Sequence, residues 1–238
     1  MATISTSVIE RARYLSLLWQ KAEDANLQLS VMPASILVAL TLEPVKELSW
    51  FSLPMTKALL ISGKTSLAKK WFNLSLGTGS VGFEETRNFY NLMMILSILG
   101  EDFEEPYDKK YITKIWSGIS TSQINENKNN SNSKLLAIMS ASGYDVDKGT
   151  WLNLLKNESL STMEYIPSIS LLYQLKEASK YNRIAEVVTI SAILLQSGGG
   201  PKELNTLALT EVIQALNMVG LNKEAEKIII HSSMEVAN

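Results

Sequence analysis

ALLISGKTSLAKKW (residues 58–71) and ALNMVGLNKEAEKI (residues 215–228) stand far apart in the chain and carry the same punctuation. In each, a glycine lies five positions after an Ala-Leu pair begins, a second Ala follows five later, and a Lys two beyond that. An apolar run that closes on glycine predicts a helix ending in a left-handed cap, because glycine takes positive φ without a Cβ penalty. The run that restarts after the turn predicts a second helix, which a small Ala allows to lie close against the first. The two stretches thus read as helical hairpins with one turn design.

The same closing position recurs outward from these two. Gly63, Gly100, Gly143, Lys180 (in LKEASKYNRIAEVV) and Gly220 end apolar-periodic runs at separations of 37, 43, 37 and 40 residues. Asn26 lies 37 residues before Gly63 and tolerates the same backbone conformation. Ala68, Ala185 and Ala225 take matching places after their turns, and Trp71 and Trp151, eight residues after their glycines, are expected in equivalent core positions. Pro54, Pro106, Pro167 and Pro201 sit at or just before the start of runs, where a missing N–H costs nothing. Ser7 to Glu10 has the form of a capping box.

Helices are predicted over 6–25, 33–42, 53–62, 66–76, 83–99, 106–118, 133–142, 147–157, 165–179, 182–196, 202–219 and 222–235. A period near 40 residues with one helix pair per repeat points to an all-α fold, an α-solenoid of about five to six antiparallel pairs. An irregular helical bundle is the alternative, since short turns in bundles also take glycine. Residues 1–238 read as one domain. The polar TSQINENKNNSNS, residues 121–133, is expected to be a loop separating the halves 1–120 and 134–238.

GKTSLAKKW at 63–71 and GLNKEAEKI at 220–228 resemble the inter-helix turn and second-helix start of tetratricopeptide-like repeats, and residues 180–188 do so in part. The resemblance implies helical hairpins whose first helices line a concave, peptide-binding surface. On that resemblance, two polar stripes become candidate groove residues. Thr206, Thr210, Gln214 and Asn217 share a face of the helix predicted over 202–219, and Arg87, Asn88 and Asn91 form a smaller stripe in an earlier first helix. Such side chains suit the backbone or terminal carboxylate of a bound peptide. The competing reading is a solvated face that is merely uncharged.

Composition narrows the function further. The chain has a formal net charge of −2, with no basic field of the kind that releases counterions from a phosphate backbone, so no nucleic-acid partner is expected. There is no cysteine and one histidine, His231, which leaves most nucleophile–base sets and thiolate metal sites without their parts. The longest uncharged apolar stretches, VMPASILVALTL and EVVTISAILL, are too short to span a bilayer, and a cytoplasmic location is the default expectation.

Carboxylates are the remaining catalytic equipment. Glu101, Asp102, Glu104, Glu105 and Asp108 cluster in GEDFEEPYDKKY, and an α/α toroid with facing acids would permit glycosidase-like chemistry. Acids ahead of a helix start are explained equally by the helix dipole. Gly198–Gly200 precede Pro201 and Lys202, but the pattern lacks the strand and the Lys-Ser/Thr pair of a phosphate loop, so a turn is expected. Trp19, Trp71, Trp116 and Trp151 read as core, as do Met93 and Met94, whereas Trp50 falls in a connection and is a candidate contact residue. The expected function is a non-catalytic adaptor or scaffold that binds a protein or peptide and needs no cofactor. A small carboxylate enzyme and a subunit of a larger assembly are the alternatives.

Overall fold

The computed structural model describes residues 7–76, 83–100, 103, 126–146, 148–157, 167–201 and 203–234, and for residues 83–87, 126–133 and 153–157 the backbone alone. The helix predicted over 106–118 lies outside the described residues. Among those described the fold is all-α, with eleven α-helices, one 3-10 helix and no strand. In chain order the helices are α1 (Val8–Asp24), α2 (Gln28–Ala39), α3 (Ser52–Ile61), α4 (Thr65–Leu76), α5 (Phe83–Ile98) and α6 (Glu126–Ala141). They continue with α7 (Lys148–Asn157), α8 (Ile169–Lys180), α9 (Ile184–Ser197), α10 (Thr206–Met218) and α11 (Asn222–Met234). The 3-10 helix, Lys46–Phe51, leads directly into α3.

Left-handed residues end the first helix at six places: Asn26, Gly63, Gly100, Gly143, Asn182 and Gly220. Their separations are 37, 37, 43, 39 and 38 residues, more even than the sequence suggested. The fifth closing residue is Asn182, with φ of 53°, rather than Lys180. The side chain of Asn is short and polar enough to visit this region, whereas Lys gains nothing there. At five of these turns the next residue's N–H reaches back five positions to a carbonyl. The bonds are Leu27 to Ala22 (2.7 Å), Lys64 to Leu59 (2.8 Å), Tyr144 to Met139 (3.1 Å), Arg183 to Ala178 (2.8 Å) and Leu221 to Leu216 (2.9 Å). This bond satisfies a carbonyl that the helix end would otherwise leave without a partner.

The turn also fixes which face of the first helix is buried. Four residues before the left-handed position stand Ala22, Leu59, Leu96, Met139, Ala178 and Leu216, all buried. Seven before it stand Trp19, Thr56, Met93, Leu136, Leu175 and Ile213, also buried. Spacings of four and seven lie on one helical face, so each turn sets the phase of the helix it ends. After the turn the register is looser. Ala68 and Ala225 are buried as expected, but Ala185 is exposed and Val187, five residues after Asn182, takes the buried place. Trp71 is buried, whereas Trp151 is 37% exposed and is not its core equivalent.

The described residues form two compact units that divide after Phe103. The first unit has α1 against α2, α2 against α3, and α3 against α4 and α5. A run of aromatic rings fills it. Trp19 stacks on Phe51 at 5.3 Å, the edge of Trp71 meets Phe51 at 6.1 Å, and Phe72 stacks on Phe89 at 4.8 Å. The indole N–H of Trp19 donates to Ser35 Oγ at 2.8 Å, so the ring is buried without leaving its polar edge unmatched. Met93 and Met94 are fully buried, as the apolar run around them predicts.

In the second unit α8 packs against α9 and α10, and α10 against α11 and α6. The contact of α10 with α6 skips a pair; a strictly linear stack joins only successive pairs, so this is bundle-like packing. Lys134 on α6 ties the two, its ammonium donating to the carbonyls of Pro201 (3.3 Å) and Leu204 (3.4 Å) just before α10.

Several expectations about element ends are corrected, among them the start of α8, which is Ile169 and not residue 165. Residues 126–133, read as part of a polar loop, are the first two turns of α6. Asn and Ser are weak helix formers, but Leu135, Leu136, Ile138 and Met139 further along the same helix are buried, and tertiary packing overrides propensity. Residues 121–125 lie outside the described residues. α2 begins at Gln28, so Pro33 is inside the helix instead of opening it. Ser7 holds the cap position of α1 with extended backbone, but its side chain makes no capping bond. α10 starts at Thr206, four residues later than predicted, because Asn205 caps it by accepting from the N–H groups of Leu207 (3.0 Å) and Ala208 (3.4 Å).

Candidate functional site

The two polar stripes belong to different units. On α10, Ala208, Leu209, Val212, Ile213, Ala215 and Leu216 are buried, which turns the remaining face outward. Thr206, Thr210 and Asn217 are half-buried on that face and Gln214 is exposed. Thr210 has its hydroxyl engaged with the carbonyl of Leu207 at 2.8 Å, so as a donor it is already committed. Leu207 and Met218 flank the stripe and are well exposed, at 62% and 64%. The face is therefore mixed apolar and polar, which the sequence reading did not foresee.

On α5, Asn88 is half-buried and Asn91 is 1% exposed, among buried Phe89, Leu92, Met93 and Met94. Asn91 is thus a core residue and leaves the groove set. The side chain of Arg87 lies outside the described residues, as do the acidic cluster Glu101, Asp102, Glu104, Glu105 and Asp108, together with Pro106, Trp116 and Lys202. Trp50, the candidate contact residue, is exposed beside buried Phe51, its ring tilted 51° against that of Phe51 at 5.6 Å.

Gly198–Gly200 form a fixed turn. Gly199 and Gly200 have φ of 82° and 108°, and the Gly200 N–H donates to the Leu195 carbonyl at 2.8 Å. A Cβ on Gly198 would stand 2.7 Å from Leu204 Cδ1 and 3.2 Å from the Leu194 carbonyl and Leu204 Cα, so a side chain there must displace Leu204. His231 is half-buried on α11. Among the described residues no three His, Asp or Glu side chains gather as metal ligands would, and no helix is long and apolar enough to cross a membrane.

The most distinctive surface is one the sequence reading passed over, the hairpin of α8 and α9. α9 reads IAEVVTISAILLQS, with Glu186 its one charged residue, yet only Val187, Ser191 and Leu194 are buried. Those three, spaced four and three apart, form a single seam. Ile184, Val188 and Ile193 are exposed by nearly half, and Ala185, Thr189 and Ala192 are exposed between them. A helix that is apolar nearly all round is ordinarily buried on every side.

On α8, Ile169, Tyr173, Lys176 and Lys180, at spacings of four, three and four, are all exposed and so make one outward stripe. Ile169 and Tyr173 are 78% and 63% exposed. The turn between the helices continues it. The Tyr181 ring has Lys180 Nζ at 5.4 Å and the Arg183 guanidinium at 6.0 Å, and Arg183 pairs with Glu186 at 2.9 Å. The low charge of α9 was visible in the sequence; its exposure was not, because an apolar residue reads alike whether covered or left over. No family model, no curated protein and no solved structure matches the chain.

Proposed function

We propose that this chain is a protein-binding helical module without chemistry of its own, and that it receives a helix of its partner on α9. The observation that supports this reading is the mismatch on α9 between an almost uncharged sequence and burial along a single seam. The exposed Ile184 and Val188 share one side of the helix and offer apolar area, and Ala185 and Ala192 beside them leave recesses in which a partner's side chains can seat. The groove of stacked first helices expected from the tetratricopeptide-like turns is a second part of the same reading, with Thr206, Gln214 and Asn217 on α10 as its polar contacts.

The test is affinity isolation of the tagged protein from its native cells, followed by reconstitution with the purified partner. Val188→Lys and Ala192→Lys are expected to abolish binding while far-UV circular dichroism stays unchanged. A purified partner that binds both variants as well as the parent would remove α9 from the reading. If it is instead lost on replacing Thr206, Gln214 and Asn217 by Ala, the surface on α10 takes its place.

A further inference from the structure

Resting on the reading that α9 receives a partner helix, we infer that this helix is acidic, its apolar stripe flanked by aspartates or glutamates that meet Lys176 and Lys180. The chain as a whole has a net charge of −2, whereas the turn end of this hairpin holds three cations against two carboxylates. Lys176, Lys180 and Arg183 stand there against Glu177 and Glu186. Arg183 is already paired with Glu186 at 2.9 Å, whereas Lys176 and Lys180 make no ion pair among the described residues. Both lysines are exposed on the outward stripe of α8, and Lys180 is held beside the Tyr181 ring. An ammonium kept near an aromatic face has fewer positions to lose on binding.

The cationic turn runs directly into the apolar face. Arg183 precedes Ile184, and from there to Ala192, on the same side of the helix, α9 rises about 12 Å, roughly two turns of a partner helix. Tyr173 and Tyr181, both well exposed, supply the aromatic anchors typical of interface centres. A basic helix would bring its own cations against the two lysines and be rejected by repulsion, so the surface selects by charge as well as by apolar fit.

The experiment uses the full chain and two synthetic amphipathic helices of about four turns, identical in their leucine stripe, one flanked by glutamates and one by lysines. Fluorescence anisotropy should show the glutamate peptide binding about tenfold tighter at low salt, with the difference shrinking as salt is raised. Lys176→Glu combined with Lys180→Glu should erase or invert that preference, and Val188→Lys should weaken both peptides. Equal affinity for the two peptides, or a preference that survives the double reversal, overturns the inference. If Val188→Lys still weakens both equally bound peptides, the helix-binding reading stands and only the charge selection fails. Two further results overturn it as well: lysine-dependent binding to phosphatidylserine vesicles with neither peptide bound, or a dimer in sedimentation that buries Val188.

Discussion

α4 and α9 each follow a left-handed turn as the second helix of a pair, and they differ in what their apolar residues touch. α4 carries Lys69 and Lys70 and buries Ala68, Trp71, Phe72 and Ser75, with Trp71 and Phe72 packed into the aromatic run of the first unit. α9 is more apolar and has one charged residue, yet it buries Val187, Ser191 and Leu194 only, none of them aromatic. Apolarity therefore does not report burial in this chain. In α4 it measures what the fold has used, and in α9 what the fold has left over.

Truncating the core side of that comparison has the largest expected effect. Phe51→Ala removes a ring sandwiched by Trp19 and Trp71 and should destabilise by about 3–5 kcal/mol in urea unfolding followed by circular dichroism. Ile193→Ala on α9, nearly half exposed, should cost under about 1 kcal/mol in the same assay. Equal losses would mean that α9 is covered and would erase the contrast.

Next comes Gly198→Val at the end of α9. Its side chain would be driven into Leu204 Cδ1 and the Leu194 carbonyl, and the cost of overpacking is about 1–3 kcal/mol. Gly63→Ala, at the head of α4, meets no atom within 4 Å and pays only for positive φ, about 1–2 kcal/mol. A much larger loss there would reveal a packing role for the turn. Asn205→Ala, which uncaps α10, should cost about 1 kcal/mol. Smallest is Val188→Lys, expected to change the unfolding midpoint by no more than about 0.5 kcal/mol, since the side chain faces outward.

Much of this fold was legible because left-handed turns have few acceptable residues. Four glycines and Asn26 announce their turns directly, whereas Asn182 is obscured because the apolar run closes two residues earlier, at Lys180. The phase of the first helices followed from those turns. The phase of the second helices did not: Ala185 and Trp151 matched their counterparts in spacing but not in burial, since a turn constrains the helix it ends more than the one it begins. The start of α6 was illegible for another reason. Its Asn- and Ser-rich turns are stabilised by apolar residues further along the same helix, which local composition does not register.

Of the candidate site, the polar stripe on α10 is half-buried to exposed, while Asn91 looked identical in type and is buried. An amide at a helix surface and one in a core carry the same letter, and only the packing around them separates the two. The outward stripe of α8 went unread because two of its four members, Ile169 and Tyr173, pass for core residues in any periodicity count.

The anchoring of Lys134 to Pro201 and Leu204 carries a consequence for synthesis. α6 rests on α10, and its lysine binds carbonyls 67 and 70 residues further along the chain. At a typical translation rate of about 5–20 residues per second, the interval is on the order of 4 to 14 s. Through that time Leu135, Leu136, Ile138 and Met139 leave the ribosome with their later partner not yet made. The first unit faces no comparable delay, since each of its helices meets the one just before it. A nascent chain paused before residue 206 would thus hold α6 without the helix it packs against.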